Sequence, residues 1–155
     1  MRSLILKSTV QRSLLFFISL LCAMIYSSSV LAQVSDSHTL VIKLHDDKAF
    51  KGTMRVAIFD KEENFLSSDA IAEVNCNASL SNEQEIRVKL PFGQYALCFF
   101  NDQNENGVLD TGLFNIPAEP YGFSNNVIGT FGPPRFARSV FEFRSSEQTI
   151  IINSR

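Results

Sequence analysis

Apolar residues recur at every second position through several short segments. Leu40, Ile42 and Leu44 share one parity, as do Met54, Val56 and Ile58, while Ile86, Val88 and Leu90 alternate with Arg87 and Lys89. A period of two predicts half-buried strands. Residues 95–100 are apolar on both parities, the mark of a central strand covered on both faces. Residues 140–144 and 149–153 predict two closing strands joined by a tight turn at Ser145-Ser146-Glu147, and residues 70–77 a seventh strand. No window carries a helical stripe, and Lys61 to Asp69 has room for a turn or two of helix at most. About seven short strands predict an all-β fold, a single β-sandwich of the immunoglobulin-like or transthyretin-like kind.

One segment breaks this rhythm. From Asn101 to about Arg138 no strand is legible, and Pro117, Pro120, Pro133 and Pro134 fall within it. Leu113, Phe114, Ile116, Tyr121, Phe123, Ile128, Phe131 and Phe136 make it too apolar to stay solvated. The expectation is a long ordered loop after the central strand, packed as a cap over one end or edge of the sandwich.

The N-terminal pattern is of another kind. Arg2, Lys7 and Arg12 precede an apolar run from Leu14 to Tyr26, and small residues lead to Ala32. This predicts a secretory signal peptide over residues 1–32, cut after Ala32, with one domain over 33–155 in the periplasm or outside the cell. Ser19-Leu20-Leu21 before Cys22 makes a poor lipoprotein box, so no lipid or membrane anchor is expected in the mature chain. The whole sequence has 14 Lys and Arg against 16 Asp and Glu, and Arg2, Lys7 and Arg12 leave with the signal. The remaining acidic excess, without a basic run, argues against nucleic acid and anionic membrane surfaces. Export also sets the redox setting of Cys76 and Cys98, for which a disulfide is the expectation and two separately buried thiols the alternative.

Three stretches carry a resemblance: Leu90-Pro91-Phe92-Gly93-Gln94-Tyr95-Ala96, then Asn101 to Asp110, then Gly112 to Asn126, with Phe131-Gly132-Pro133-Pro134-Arg135-Phe136 behind them. In order and spacing they resemble the secreted bacterial proteins called the domain of unknown function 2141 family, over essentially the whole mature chain. The resemblance implies bacterial export and a β-sandwich, and no established activity. Asn101 departs from it, standing where the family pattern carries His. Cys98 stands where a small apolar residue is expected, so a disulfide there would be a local feature. Separately, the Leu90–Tyr95 stretch is similar to a turn of transthyretin-like and immunoglobulin-like sandwiches, in which Gly93 can take a positive φ.

The strongest chemical pattern is Asp102-Gln103-Asn104-Glu105-Asn106-Gly107-Val108-Leu109-Asp110. Counted as a calcium loop, Asp102, Asn104 and Asn106 offer side-chain oxygens at positions one, three and five. Gly107 permits the turn at six, Val108 offers its carbonyl at seven, Leu109 would anchor the loop in the core, and Asp110 ligates at nine. Position twelve is Leu113, so the bidentate glutamate is missing and Glu119 is the nearest substitute. Such a site would bind calcium weakly, with a Kd on the order of 10⁻⁴–10⁻³ M. A metal-free turn built from the same residues is the alternative.

Phe114, Tyr121 and Phe123, with Glu119, Asn125 and Asn126 among them, are candidates for a groove that takes a sugar, a peptide or a hydrophobic partner. The alternative is a loop stapled to the sandwich by its own rings. Partners of this kind would be a cell-envelope protein or a carbohydrate; oligomeric state is not encoded in these patterns. Catalysis is not expected. The least unfavourable enzyme reading is a carbohydrate-active hydrolase using Glu119 with Asp102 or Asp110.

Overall fold

The computed structural model describes residues 36–155, so the expected signal peptide and its cleavage site lie outside the described residues. Eight strands follow one another: β1 (His38–His45), β2 (Thr53–Phe59), β3 (Ala72–Asn77), β4 (Glu83–Leu90), β5 (Gly93–Asp102), β6 (Tyr121–Phe123), β7 (Phe141–Phe143) and β8 (Glu147–Asn153). They form two sheets, as the alternation predicts. One has the order β4-β1-β8, with β4 antiparallel and β8 parallel to β1. The other has the order β3-β2-β5-β6, and β7 also pairs with β5. The predicted apolar parities face each other between the sheets: Leu40, Ile42, Leu44, Met54, Val56, Ile58, Ile86, Leu97, Phe99 and Ile152 are all 5% exposed or less. The segment 61–69 holds one 3₁₀ turn, Glu62–Asn64.

β6 and a four-residue helix, α1 (Phe136–Ser139), are the elements that the sequence did not announce. β6 is three residues long, too short for alternation to register, and its central residue is Gly122. That glycine is required by close approach. A Cβ there would sit 2.6 Å from Cε1 of Phe99, whose ring packs over it from the core.

The edge of β5 opposite β2 is shared. β7 pairs with Gly93–Tyr95 and β6 with Cys98–Phe100. Leu97 falls in the gap between them, and the buried Ser124 fills it. Its hydroxyl oxygen accepts from Leu97 N–H at 2.9 Å and donates to the Ser139 carbonyl at 2.5 Å. Two residues on, the Asn126 amide accepts from Asn153 N–H at 2.7 Å and donates to Ile151 O at 3.1 Å, as a paired peptide would. Arg155 N–H donates to Tyr121 O at 2.8 Å. Residues 121–126 thus stitch the second sheet to the free edge of β8.

Two sequence expectations are corrected. Gly93 does not take a positive φ; the Tyr95 ring folds back over it, with the hydroxyl 3.1 Å from where a Cβ would lie and donating to Pro91 O at 3.0 Å. Cys76 and Cys98 are not bonded. They lie on β3 and β5, the two neighbours of β2, opposite Met54 and Ala57 respectively. Met54 faces the core and Ala57 the outer face, so the two thiols are on opposite sides of the sheet. Two strand spacings, about 9.5 Å, also exceed the roughly 7 Å Cα separation that a disulfide spans.

Replacing Ser124 by Ala leaves Leu97 N–H buried without an acceptor. The expected cost is about 1–3 kcal/mol, read as a lower urea midpoint with an unchanged slope.

Candidate functional site

Asp102 is the last residue of β5 and is fully buried. Strand alternation turns it to the outer face of the sheet, where Arg55 of β2 reaches it, Nε donating to Oδ2 at 2.7 Å. The chain then curls back. Gly107 N–H donates to Asp102 Oδ2 at 2.8 Å and Asn106 N–H to Oδ1 at 3.0 Å, with Gly107 at φ +88°. Burial alone would raise the Asp102 pKa. The hydrogen bonds from Arg55, Gly107 and Asn106, with the guanidinium charge, outweigh it and hold the carboxyl below its ordinary value.

The other expected ligands gather on the same loop. Asn104 Oδ1 also accepts from Asn106 N–H at 3.2 Å, and Asn106 Oδ1 accepts from Val108 N–H at 2.9 Å. The Asn104 and Asn106 amides donate to the two Asp110 oxygens at 2.6 and 3.1 Å. Asp102, Asn104, Asn106 and Asp110 therefore form one connected cluster. Its fit to a cation is mixed. Asp102 already faces a guanidinium, Asp110 is the carboxylate left for an ion, and no group of three or more His, Cys, Asp or Glu residues is arranged for a metal among the described residues. Leu109 does not anchor the loop in the core; it is half-buried and lines the groove described below.

Glu119 is not placed as a twelfth ligand. It is 6% exposed, and its oxygens accept from Gln103 N–H at 2.8 Å and Asp110 N–H at 3.0 Å. It is a clasp closing both ends of the loop. With Glu119 and Asp102 both buried and hydrogen-bonded, neither lines an open cleft of the kind a hydrolase pair requires.

Beside the clasp lies a groove of about 850 Å³. Its floor is the outer face of the second sheet, including Cys98, Phe100, Tyr121 and Phe123. One wall is the flap from Leu109 to Pro117, closed on itself by Gly112 N–H to Ile116 O at 2.8 Å and Ala118 N–H to Asp110 O at 2.8 Å. The other wall is Gly129–Pro133, where a Cβ on Gly129 would collide with the Gly132 carbonyl at 1.8 Å. Phe114 and Phe131 on the two flaps are 94% and 103% exposed, and Leu113 and Ile116 also face solvent. Phe114 and Asn115 hold φ of 63° and 56°, a left-handed conformation that costs a non-glycine residue roughly 1–2 kcal/mol. Burial pushes the Cys98 thiol up to about 12, against a small opposing hydrogen bond at Ala57.

The ligand-binding residues expected from sequence therefore divide. Phe114, Tyr121 and Phe123 come together around the groove. Glu119, Asn125 and Asn126 do not line it. The Asn125 amide donates to Val140 O at 2.8 Å and Arg138 O at 3.2 Å, and Asn126 holds β8. The cap is sealed only in part: Phe65 packs edge-on to Phe59 at 5.5 Å and Phe136 at 5.6 Å, while the two flaps stand open. Arg55, Phe100 and Phe131 were missed. Arg55 is the one charged residue in β2, a signal that gains meaning once Asp102 is found opposite its outer face, and Phe131 stands beside Gly132 and two prolines, a signal that gains meaning once both flaps are found to line the groove.

A family model described as an uncharacterised protein conserved in bacteria, domain of unknown function 2141, matches residues 42–151. The chain belongs to that family. The match begins within β1 and ends within β8, so it takes in both sheets, the clasped loop and the two flaps. No curated protein and no solved structure matches the chain. Asn101, where the family pattern was expected to carry His, is fully buried here and holds a backbone: its Oδ1 accepts from Lys51 N–H at 3.2 Å and its amide donates to Lys51 O.

Because the Asp102 pKa is lower folded than unfolded, its contribution to stability is complete above about pH 3.9, the ordinary Asp value. It is lost as pH falls from there through the folded pKa. Asp102→Asn should melt lower than wild type at neutral pH and lose less on acidification, the two curves converging once the pH has fallen through the folded Asp102 pKa. Melting temperatures from pH 7 to pH 2 test this; parallel curves would place the acid sensitivity elsewhere.

Proposed function

We propose that this protein is an exported, non-enzymatic binding module of the β-sandwich type. Its working surface is the apolar groove between the 109–117 and 129–133 flaps, and a weak calcium ion on the Asp102–Asp110 loop steadies the first flap. The observation that carries the reading is the exposure of Phe114 and Phe131 on facing flaps over an aromatic floor. Exposed apolar surface of this kind is costly in water and marks binding sites. The left-handed backbone at Phe114 and Asn115 adds to it, since such strain collects where a side chain must be presented. Export rests on the charged and apolar pattern of residues 1–32.

Calcium would be held by Asp102 Oδ1, the Asn104 and Asn106 side chains, the Val108 carbonyl and Asp110. The shared hydrogen bonds among these groups support a ligand ring needing little rearrangement, and calcium would replace the Asn–Asp110 bonds with stronger ionic ones. Arg55 competes for Asp102, consistent with the weak range. The rival reading, envelope assembly through sheet-edge pairing, is less well supported. The β4 edge strand carries the exposed charges Glu85, Arg87 and Lys89, a pattern that discourages edge association, and Asn126 caps part of β8.

The neutral dye Nile red should bind the purified protein with a blue-shifted emission. Phe114→Ser and Phe131→Ser should each weaken it by about tenfold, the equivalent of 1.4 kcal/mol, without lowering the melting temperature, because neither ring is buried. Dye binding unchanged by both substitutions would rule out the groove. Separately, calcium at tenfold its Kd should stabilise the fold by roughly 1.4 kcal/mol, a rise of about 5 °C in melting temperature. Magnesium should do less and Asp110→Ala should abolish the shift. No shift at 10 mM calcium would leave Arg55 as the loop's cation.

A further inference from the structure

The chemistry of the groove narrows what can lie in it. None of its lining residues is Asp, Glu, Lys, Arg or His. The polar side chains among them are Thr111, Asn115, Thr130 and Tyr121, with the Cys98 thiol un-ionised at neutral pH. A sugar needs several convergent donors and acceptors to replace the water it gives up, and this lining lacks them. An extended peptide must satisfy its own N–H and C=O groups, usually at a free strand edge. β6 has no such edge: β5 holds one side and Arg155 pairs with Tyr121 on the other. Within the first flap, the Gly112 and Ile116 N–H groups are already taken by Ile116 O and Leu113 O. A hydrocarbon chain has no polar groups to satisfy, and the volume lies in the range of small-molecule pockets.

We propose that the groove takes the neutral hydrocarbon chain of a lipid, recognised by its length and not by its headgroup. This rests on the binding-module reading and specifies its ligand. Phe114 and Phe131 would close over the chain from the two flaps, with Tyr121, Phe123 and Phe100 beneath it. With no charged residue in the lining, the headgroup stays in solvent.

The test is displacement of Nile red by single-chain lipids below their micellar concentrations. Hexadecanoyl glycerol, hexadecanoyl lysophosphatidylcholine and hexadecanoate share a chain and differ in headgroup charge. They should compete within about threefold of one another, unchanged between 0.05 and 0.5 M salt. Shortening the chain should weaken competition by up to about fourfold per methylene removed from the groove. Phe131→Ser should weaken all three lipids about tenfold, and Leu80→Ser, an exposed residue outside the groove, should weaken none. If the dye binds and responds to Phe131→Ser but no lipid displaces it, the lipid assignment is wrong and the groove stands. A strong preference for one headgroup, or an effect of Leu80→Ser equal to that of Phe131→Ser, would also overturn it. So would a dimer in sedimentation velocity that Phe131→Ser dissolves, because a second copy would then be the occupant. Dye binding indifferent to both phenylalanines would remove the groove itself.

Discussion

A peptide group taken out of water has to find a hydrogen-bond partner, and this constraint shapes the molecule from the end of β5 onward. The ladder that serves β1 to β5 stops at Asp102, and the chain runs on to Tyr121 before a strand resumes. Side chains take over where the ladder stops. Asp102 accepts the N–H groups of Asn106 and Gly107, Glu119 those of Gln103 and Asp110, Ser124 that of Leu97, and Asn126 that of Asn153. A charged acceptor to backbone N–H contributes about 1.5–3 kcal/mol, and an orphaned buried donor costs a similar amount. The excursion is ordered because carboxylates, hydroxyls and amides stand in for a missing strand.

This division of labour explains the inverted distribution of residue types. Asp102, Glu119 and Ser124 are buried, while Leu113, Phe114, Ile116 and Phe131 are exposed. Elsewhere apolar contact holds elements together and polar groups face solvent. Here polar contacts fix the path of the chain, and the rings of the two flaps are not needed for packing. They are therefore available at the surface, on a rigid support, beside a floor that the sheet supplies. The same kind of contact joins Asp102, Asn104, Asn106 and Asp110 into one hydrogen-bonded cluster, with Arg55 held at its Asp102 end.

The parity of Leu40, Met54, Ile86 and their neighbours was legible because one face of each strand is buried and the other is not. That asymmetry writes a period of two into any strand of five residues or more. β6 was not legible, since three residues around a glycine carry no period. Cys76 and Cys98 show a further limit. Their presence in one small domain suggested a bond, yet whether two thiols meet depends on strand order and parity. β2 lies between them, and only the pairing register reveals it. Asn125 and Asn126 are a similar case: a polar pair amid aromatics reads as a binding surface until the Arg138 and Val140 carbonyls are found beside the one and the free edge of β8 beside the other.

What the sequence by itself determined is the all-β fold, seven of the eight strands, the outward excursion after the central strand and the cluster of Asp102, Asn104, Asn106 and Asp110. All of these follow from local properties: side-chain alternation, turn chemistry and the spacing of oxygens along a few residues. Tertiary structure alone decided the pairing of Arg55 with Asp102, the use of Glu119 as a clasp, the separation of the cysteines and the placing of Phe114 and Phe131 on one groove. These depend on which segments the two sheets bring side by side, over separations of 9 to 47 positions in the hydrogen-bonded cases. No local pattern records which distant partner a side chain meets.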